Sequence, residues 1–208
     1  MCPQDHPPYP VTGLILAGGD SRRMGRPKAG LDLGGRSLLD RVIDTLTPLC
    51  REIIIVTRRP SEFLDYDLTI VRDLKPGQGP LGGLATGLLF AHYPWALTLA
   101  CDLPFLSRDL LAHLIRKALA TPAGPRAVVP RTQAGWEPLI AVYARNCLPR
   151  AQELLARDRH KLYELRSGGV RWEEVSEAEL RSIDPGLTSF MNVNTPEDLL
   201  QARTRPPG

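Results

Sequence analysis

Four short stretches carry residue types that do chemistry on phosphates. The first is "LAGGDSRRMGRPKAG", residues 16–30, in which adjacent glycines, a serine, three arginines and Lys28 share one loop after an apolar run. Glycine lets backbone approach an anion with no Cβ in the way, and successive N–H groups form an anion nest. Arg22, Arg23 and Lys28 add full charges, so the loop reads equally as a phosphate cradle or as a basic, glycine-rich surface loop. It is neither of the better-known phosphate motifs. Five residues separate Gly19 from Gly25 and an arginine follows, which excludes G-x-x-x-x-G-K-[ST], and no G-x-G-x-x-G is present. The second stretch, "LACDLPFL" (99–106), ends an apolar run on Asp102. Taken alone, D-x-P favours a turn; beside the basic loop, a carboxylate there suits Mg²⁺, which takes one or two carboxylates with phosphate oxygens and water. The third is Asp73, just before "PGQGPLGG". It can hold a ribose hydroxyl or base edge, support the metal, or simply close a strand. The fourth is "NVNTPEDL", where Asn192 and Asn194 alternate with Val193 and so are expected to point to one side.

These stretches need a scaffold that brings them together. "VTGLILA" (11–17), "EIIIVT" (52–57), "LTIVRD" (68–73) and "WALTLACD" (95–102) read as strands from their apolar runs, the second of them rich in β-branched residues. "SLLDRVIDTL" (37–46) is a helix with Leu38, Leu39, Val42, Ile43 and Leu46 on one face. Pro80 opens another helix, with Leu81, Leu84, Leu88 and Leu89 as its apolar stripe. Ser107 caps a third helix, over 107–119. Two strands (126–130 and 138–143) flank a loop around Gly135, followed by helices in "NCLPRAQELLARD" and "KLYELRS" and a strand over 170–175. Thr195 caps the last helix, with Pro196 at its first position and Glu197 and Asp198 complementing its dipole. The alternation implies an α/β fold: one domain, Rossmann-like, a three-layer sandwich with a mostly parallel sheet. Ligands of such sheets sit beyond the carboxyl ends of the strands. The domain is read as 11–203, with a Pro-rich lead-in at 1–10 and a tail at 204–208, both disordered.

Composition excludes several classes. At 208 residues, with 43% hydrophobic and 24% charged, the chain is long enough to bury a core. A net charge of +3 is too small to argue for nucleic acid, and no apolar run approaches a membrane span. Cys2, Cys50, Cys101 and Cys147 form no C-x-x-C pair, and His6, His92, His113 and His160 are scattered, so neither a disulfide framework nor a zinc site is expected. With no secretory leader either, the expected compartment is the cytoplasm. No Ser-His-Asp or Cys-His arrangement suggests a protein nucleophile.

Together and in this order, "LAGGDSRRMGRPK", "GPLGG", "CDLPF" and "NVNTPEDL" resemble the molybdenum cofactor guanylyltransferases, within the larger nucleotidyltransferase group that includes the nucleotide-diphospho-sugar transferases. The resemblance covers the chain apart from its tails. It implies transfer of GMP from GTP to the phosphate of molybdopterin, with release of pyrophosphate and with Mg²⁺ as the ion. It further implies that the backbone at Leu16, Ala17, Gly18 and Gly19 lies against the nucleotide and that Arg23 and Lys28 hold its phosphates. Asp73 would contact the nucleotide and Asp102 the metal, with Asn192 and Asn194 near the pterin or metal. Hand-over of product to molybdoenzymes or their chaperones is implied too. Where family members often carry an asparagine near the base, this chain reads "IIIVTRR", so the resemblance assigns no residue to the guanine. The alternatives are a relative that uses CTP or a sugar-phosphate acceptor, and a non-catalytic nucleotide-binding module.

Overall fold

A computed structural model describes residues 8–18, 30–122 and 124–204. Gly19, Arg22, Arg23 and Lys28 of the basic loop therefore lie outside the described residues. The chain runs β1 (Tyr9–Leu16), α1 (Leu38–Leu46), β2 (Cys50–Thr57), β3 (Thr69–Arg72), α2 (Gly79–Phe90), β4 (Trp95–Ala100) and α3 (Arg108–Ala120). It continues with β5 (Arg126–Thr132), β6 (Gly135–Trp136), β7 (Ile140–Ala144), α4 (Leu148–Ala156), α5 (Glu164–Ser167), β8 (Arg171–Val175), α6 (Glu177–Arg181) and α7 (Pro196–Arg203). The strands form one sheet in the order β3-β2-β1-β4-β7-β5-β6, with β8 added on β5.

The first four strands are mutually parallel. β7 runs antiparallel to both β4 and β5, and β8 is parallel to β5. The chain moves outward from β1 to β2 and β3, then returns to lay β4 on the other side of β1. That reversal opens a crevice between the carboxyl ends of β1 and β4, where open α/β sheets bind their ligands. Leu16 is paired with Ala100 at this edge.

Helices cover both faces, and the alternation along β1 assigns them. Leu46 of α1 packs on Gly13, while Gly87 of α2 packs on Leu14. A Cβ at Gly87 would stand 2.7 Å from Leu14 Cδ1, so glycine sets how closely α2 approaches the sheet. The caps anticipated from sequence at Ser107 and Thr195 are present: the Ser107 hydroxyl accepts from the Leu110 N–H, and Thr195 forms a capping box with Asp198; Ser37 forms a further capping box with Asp40.

Several expectations need correction. β1 begins at Tyr9, inside the segment read as a disordered lead-in, because the Tyr9 N–H donates to the Leu49 carbonyl at 2.8 Å and joins the sheet. β4 stops at Ala100, so Asp102 stands in the turn beyond the strand; Pro104 and the swing into α3 leave no partner for a longer ladder. Leu89 is exposed rather than part of the stripe, whereas Leu81, Leu84 and Leu88 are buried together with the glycines of α2. The segment around Gly135 is not a plain loop: Gly135 and Trp136 form β6, hairpinned on β5. Residues 191–194 form no strand, so the alternation expected for Asn192 and Asn194 has no ladder to enforce it.

Candidate active site

The carboxyl edge of the parallel strands collects the chemistry-bearing residues. β1 delivers Leu16, Ala17 and Gly18 there, with the Ala17 N–H donating to the Val56 carbonyl at 2.8 Å. Thr57, closing β2, organises the neighbouring turn. Its hydroxyl donates to the Ala17 carbonyl at 3.3 Å and accepts from the Arg59 N–H at 3.2 Å. Its carbonyl accepts from the Asp73 N–H at 2.7 Å, which fixes Asp73 directly beyond β3. Asp73 Oδ1 in turn accepts from the Lys75 N–H at 2.9 Å and the Thr86 hydroxyl at 3.3 Å. Asp73 thus ties the glycine-rich turn to the buried Thr86 of α2, a positioning role that sequence alone did not suggest.

α2 starts at this edge with no side-chain cap on Gln78. A Cβ at Gly82 would meet the Lys75 carbonyl at 2.9 Å, so the turn folds back onto the helix only because residue 82 is glycine. A helix start whose N–H groups are not all claimed by a cap favours an anion.

Asp102 is held from the opposite side. Its carbonyl accepts from the Val193 N–H at 2.9 Å, which lays Asn192 and Asn194 on either side of that bond. Val193 is 2% exposed and packs with Leu33, Leu38 and Ala202, flanked by Leu31, Phe105 and Leu199. One small apolar cluster therefore joins the return from the basic loop, the start of α1, the "CDLPF" turn and the "NVNTPEDL" segment. The Arg203 guanidinium adds a hydrogen bond to the Asp32 carbonyl at 3.1 Å. Ser189, fully buried, accepts from the Ser107 N–H at 2.9 Å and steadies the start of α3 beside it.

The described members of the four stretches thus meet at one edge: Leu16, Ala17, Gly18, Asp73, Asp102, Asn192 and Asn194. Arg23, Lys28 and Gly19 belong to the connection that leaves from Gly18 and re-enters at Gly30. Among the described residues no group of three or more His, Cys, Asp or Glu side chains converges.

Relatives give the arrangement its context. Residues 13–172 match the family model of the MobA-like NTP transferase domain. The chain belongs to this family. It is a nucleotidyltransferase, and its α/β sheet is that of the nucleotide-diphospho-sugar transferases. It is 38% identical over 193 residues to the molybdenum cofactor guanylyltransferase of Desulfosudis oleivorans, covering 92% of this chain and 94% of that one. It is 37% identical to the probable molybdenum cofactor guanylyltransferase of Pelotomaculum thermopropionicum, with coverages of 93% and 92%. The solved molybdopterin-guanine dinucleotide biosynthesis protein A of Archaeoglobus fulgidus superposes with a TM-score of 0.80 at 28% identity, over 93% of this chain and 97% of that one. No helix among the described residues is long and apolar enough to cross a membrane.

Two residues at the family's edge escaped the sequence reading. Arg58, just past β2, has its Cγ 3.9 Å from where a Cβ on Gly18 would stand, which sets its side chain beside the backbone that leaves β1. Glu137 lies between β6 and β7, half-buried, and accepts from the Thr132 hydroxyl at 3.1 Å. Burial raises its pKa above the usual carboxylate value, the Thr132 bond opposing this only in part. Only the tertiary placement of the hairpin reveals it.

Proposed function

We propose that this chain transfers GMP from GTP to the phosphate of molybdopterin, giving molybdopterin guanine dinucleotide and pyrophosphate, with Mg²⁺. The observation that carries the reading is the junction at Asp102. This aspartate follows the strand paired with β1 at the sheet's switch point, and its carbonyl is bonded to the segment bearing Asn192 and Asn194. The names of the relatives supply the donor and acceptor.

Both reactants are polyanions, and two unit charges 4 Å apart repel by about 4 kcal/mol at an effective dielectric near 20. The chain's own residues must offset several such pairs. The backbone from Leu16 to Gly19 lies along the nucleotide, and Arg23 and Lys28 bind its phosphates. Asp73 contacts the nucleoside end, where the turn it braces meets α2. A single carboxylate at Asp102 fits an ion that takes one or two carboxylates and completes its shell with phosphate oxygens and water. When bound, that ion supplies charge neutralisation across the triphosphate. Asn192 and Asn194 orient the acceptor against the nucleotide.

An oxygen of the molybdopterin phosphate attacks the α-phosphorus in line. The new P–O bond forms as the bond to the β-phosphate oxygen breaks, and the electron pair leaves with pyrophosphate. No protein nucleophile is needed, and a phosphomonoester with a second pKa near 6 needs no general base at neutral pH. Cations and dipoles fixed in advance stabilise charge as it moves onto the leaving group. The cytoplasm, where GTP is abundant, is the compartment in which this reaction would run.

The test is pyrophosphate release and product identity with molybdopterin, Mg²⁺ and either GTP or CTP. GTP-dependent formation of the guanine dinucleotide is expected. A clear preference for CTP, or nucleotide binding without pyrophosphate release, would overturn the reading in favour of a cytidylyl enzyme or a non-catalytic module respectively.

A further inference from the structure

A second cluster stands on the same sheet edge and is unused by the chemistry above. Trp136 is paired with Arg131 across the β5–β6 hairpin, and the Arg131 guanidinium carbon lies 5.2 Å from the indole centre. Arg166 of α5 brings a second guanidinium to 5.0 Å of the same ring. Trp172 of β8 meets the ring edge-on at 5.1 Å. Arg131 is anchored by Glu174 at 3.3 Å, whereas Arg166 is exposed and has no acidic partner among the described residues.

The topology sets this cluster beside the crevice. β7 begins at Ile140, opposite Leu99, so residues 135–139 run past the carboxyl end of β4, the end from which Asp102 follows. The segment entering α5 is bound to the start of α2, where the Leu81 N–H donates to the His160 carbonyl at 3.3 Å. The cluster therefore lies on the side of Asp102 away from β1 and Gly18. From β4 to β5 is two strand spacings, roughly 10 Å.

We propose that Trp136, with Arg131 and Arg166, is the platform for the heterocycle of the acceptor. This deepens the reading of the chain as a transferase to molybdopterin and rests on it. An indole face stacks on a planar pterin, and guanidiniums both stack on such rings and bind anionic substituents. Arg131, tied to Glu174, holds one side of the indole. Arg166, on a helix of four residues, is the arm that moves aside as the pterin arrives and then takes its anionic groups. With the ring held there, the phosphate arm reaches back toward Asp102 and the nucleotide.

The experiment is steady-state kinetics with molybdopterin varied at saturating GTP, then GTP varied at saturating molybdopterin, on the wild type, Trp136→Ala, Trp136→Phe and Arg166→Glu. Trp136→Ala and Arg166→Glu should each raise the KM for molybdopterin about tenfold and leave the KM for GTP unchanged. Trp136→Phe, which keeps a stacking ring, should recover most of the loss. Arg166 is exposed, so its variant keeps the test decisive if Trp136→Ala fails to fold. An unchanged KM for molybdopterin in Arg166→Glu and in folded Trp136→Ala, with an active wild type, would overturn the platform alone. A wild type that transfers no GMP to molybdopterin would overturn the functional reading and the platform with it.

Discussion

At the scale of single residues, the account rests on charges held where phosphate charge moves. Asp102→Ala should lose nearly all turnover while circular dichroism and melting show a folded protein, because the substitution keeps the backbone carbonyl that Val193 bonds. Lys28→Ala should lose on the order of 10²–10³ in rate, the usual cost of removing one preorganised electrostatic group. A wild-type rate in either variant would remove that residue from the mechanism. A different carboxylate gives a pH prediction far from this edge. Glu52, opposite Thr12 near the amino end of β1, would have its pKa raised by burial, but hydrogen bonds from His92 and the Thr12 hydroxyl bring it below 4.5. A lowered pKa means that the ionised form stabilises the fold above pH 4.5 and that this contribution fades as pH falls through the folded value. Glu52→Gln should therefore cost about 1 kcal/mol at pH 7, with the gap to wild type closing below pH 4.5 in denaturant titrations. Asp102, Asp73 and the two asparagines were legible in the sequence because each sits at an abrupt end of an apolar run or beside a cap. Arg58 and Glu137 were not, since a cation after a strand and an acid in a hairpin carry no local signal until the sheet is assembled.

At the scale of elements, the edge depends on how closely α2 and its preceding turn can pack. Gly82→Ala drives a Cβ toward the Lys75 carbonyl, a backbone atom with little room to yield. It should destabilise by about 1–3 kcal/mol and raise the KM for GTP, since the turn displaced is the one that Asp73 braces. A thermal melt and a GTP titration check this; a variant with wild-type values for both would show that the close approach is dispensable. The parallel strands were readable as continuous apolar runs and three helices by their caps and Pro80. In the far half of the sheet the strands over 126–130, 138–143 and 170–175 were readable too, but β6 and the pairing were not. A hairpin whose β6 spans only Gly135–Trp136 offers no periodicity, and whether β7 runs parallel or antiparallel to β4 is decided by long-range pairing. The end of β4 at Ala100 was missed for a similar reason: "ACD" continues the apolar pattern, and the turn becomes visible only once β7 pairs with β4 no further than Leu99.

At the scale of the whole molecule, residues distant in sequence are held together by the small cluster of Leu33, Leu38, Val193 and Ala202. Leu38→Ala, at a fully buried position, should cost about 2–5 kcal/mol and lower kcat/KM by more than the unfolded fraction explains, because it loosens the hold of Val193 on the Asp102 turn. Activity that simply tracks the folded population would mean the cluster serves stability alone. On the proposed reading, the same architecture separates two reactants along one edge, with nucleotide between β1 and β4 and acceptor toward β5. The most direct measurement is a crystal structure of the chain with a non-hydrolysable GTP analogue and Mg²⁺. The account predicts phosphates along the backbone that follows Leu16 and an ion about 2.0–2.1 Å from an Asp102 carboxylate oxygen. Nucleotide bound away from the β1–β4 crevice, or an ion that makes no contact with Asp102, would contradict it.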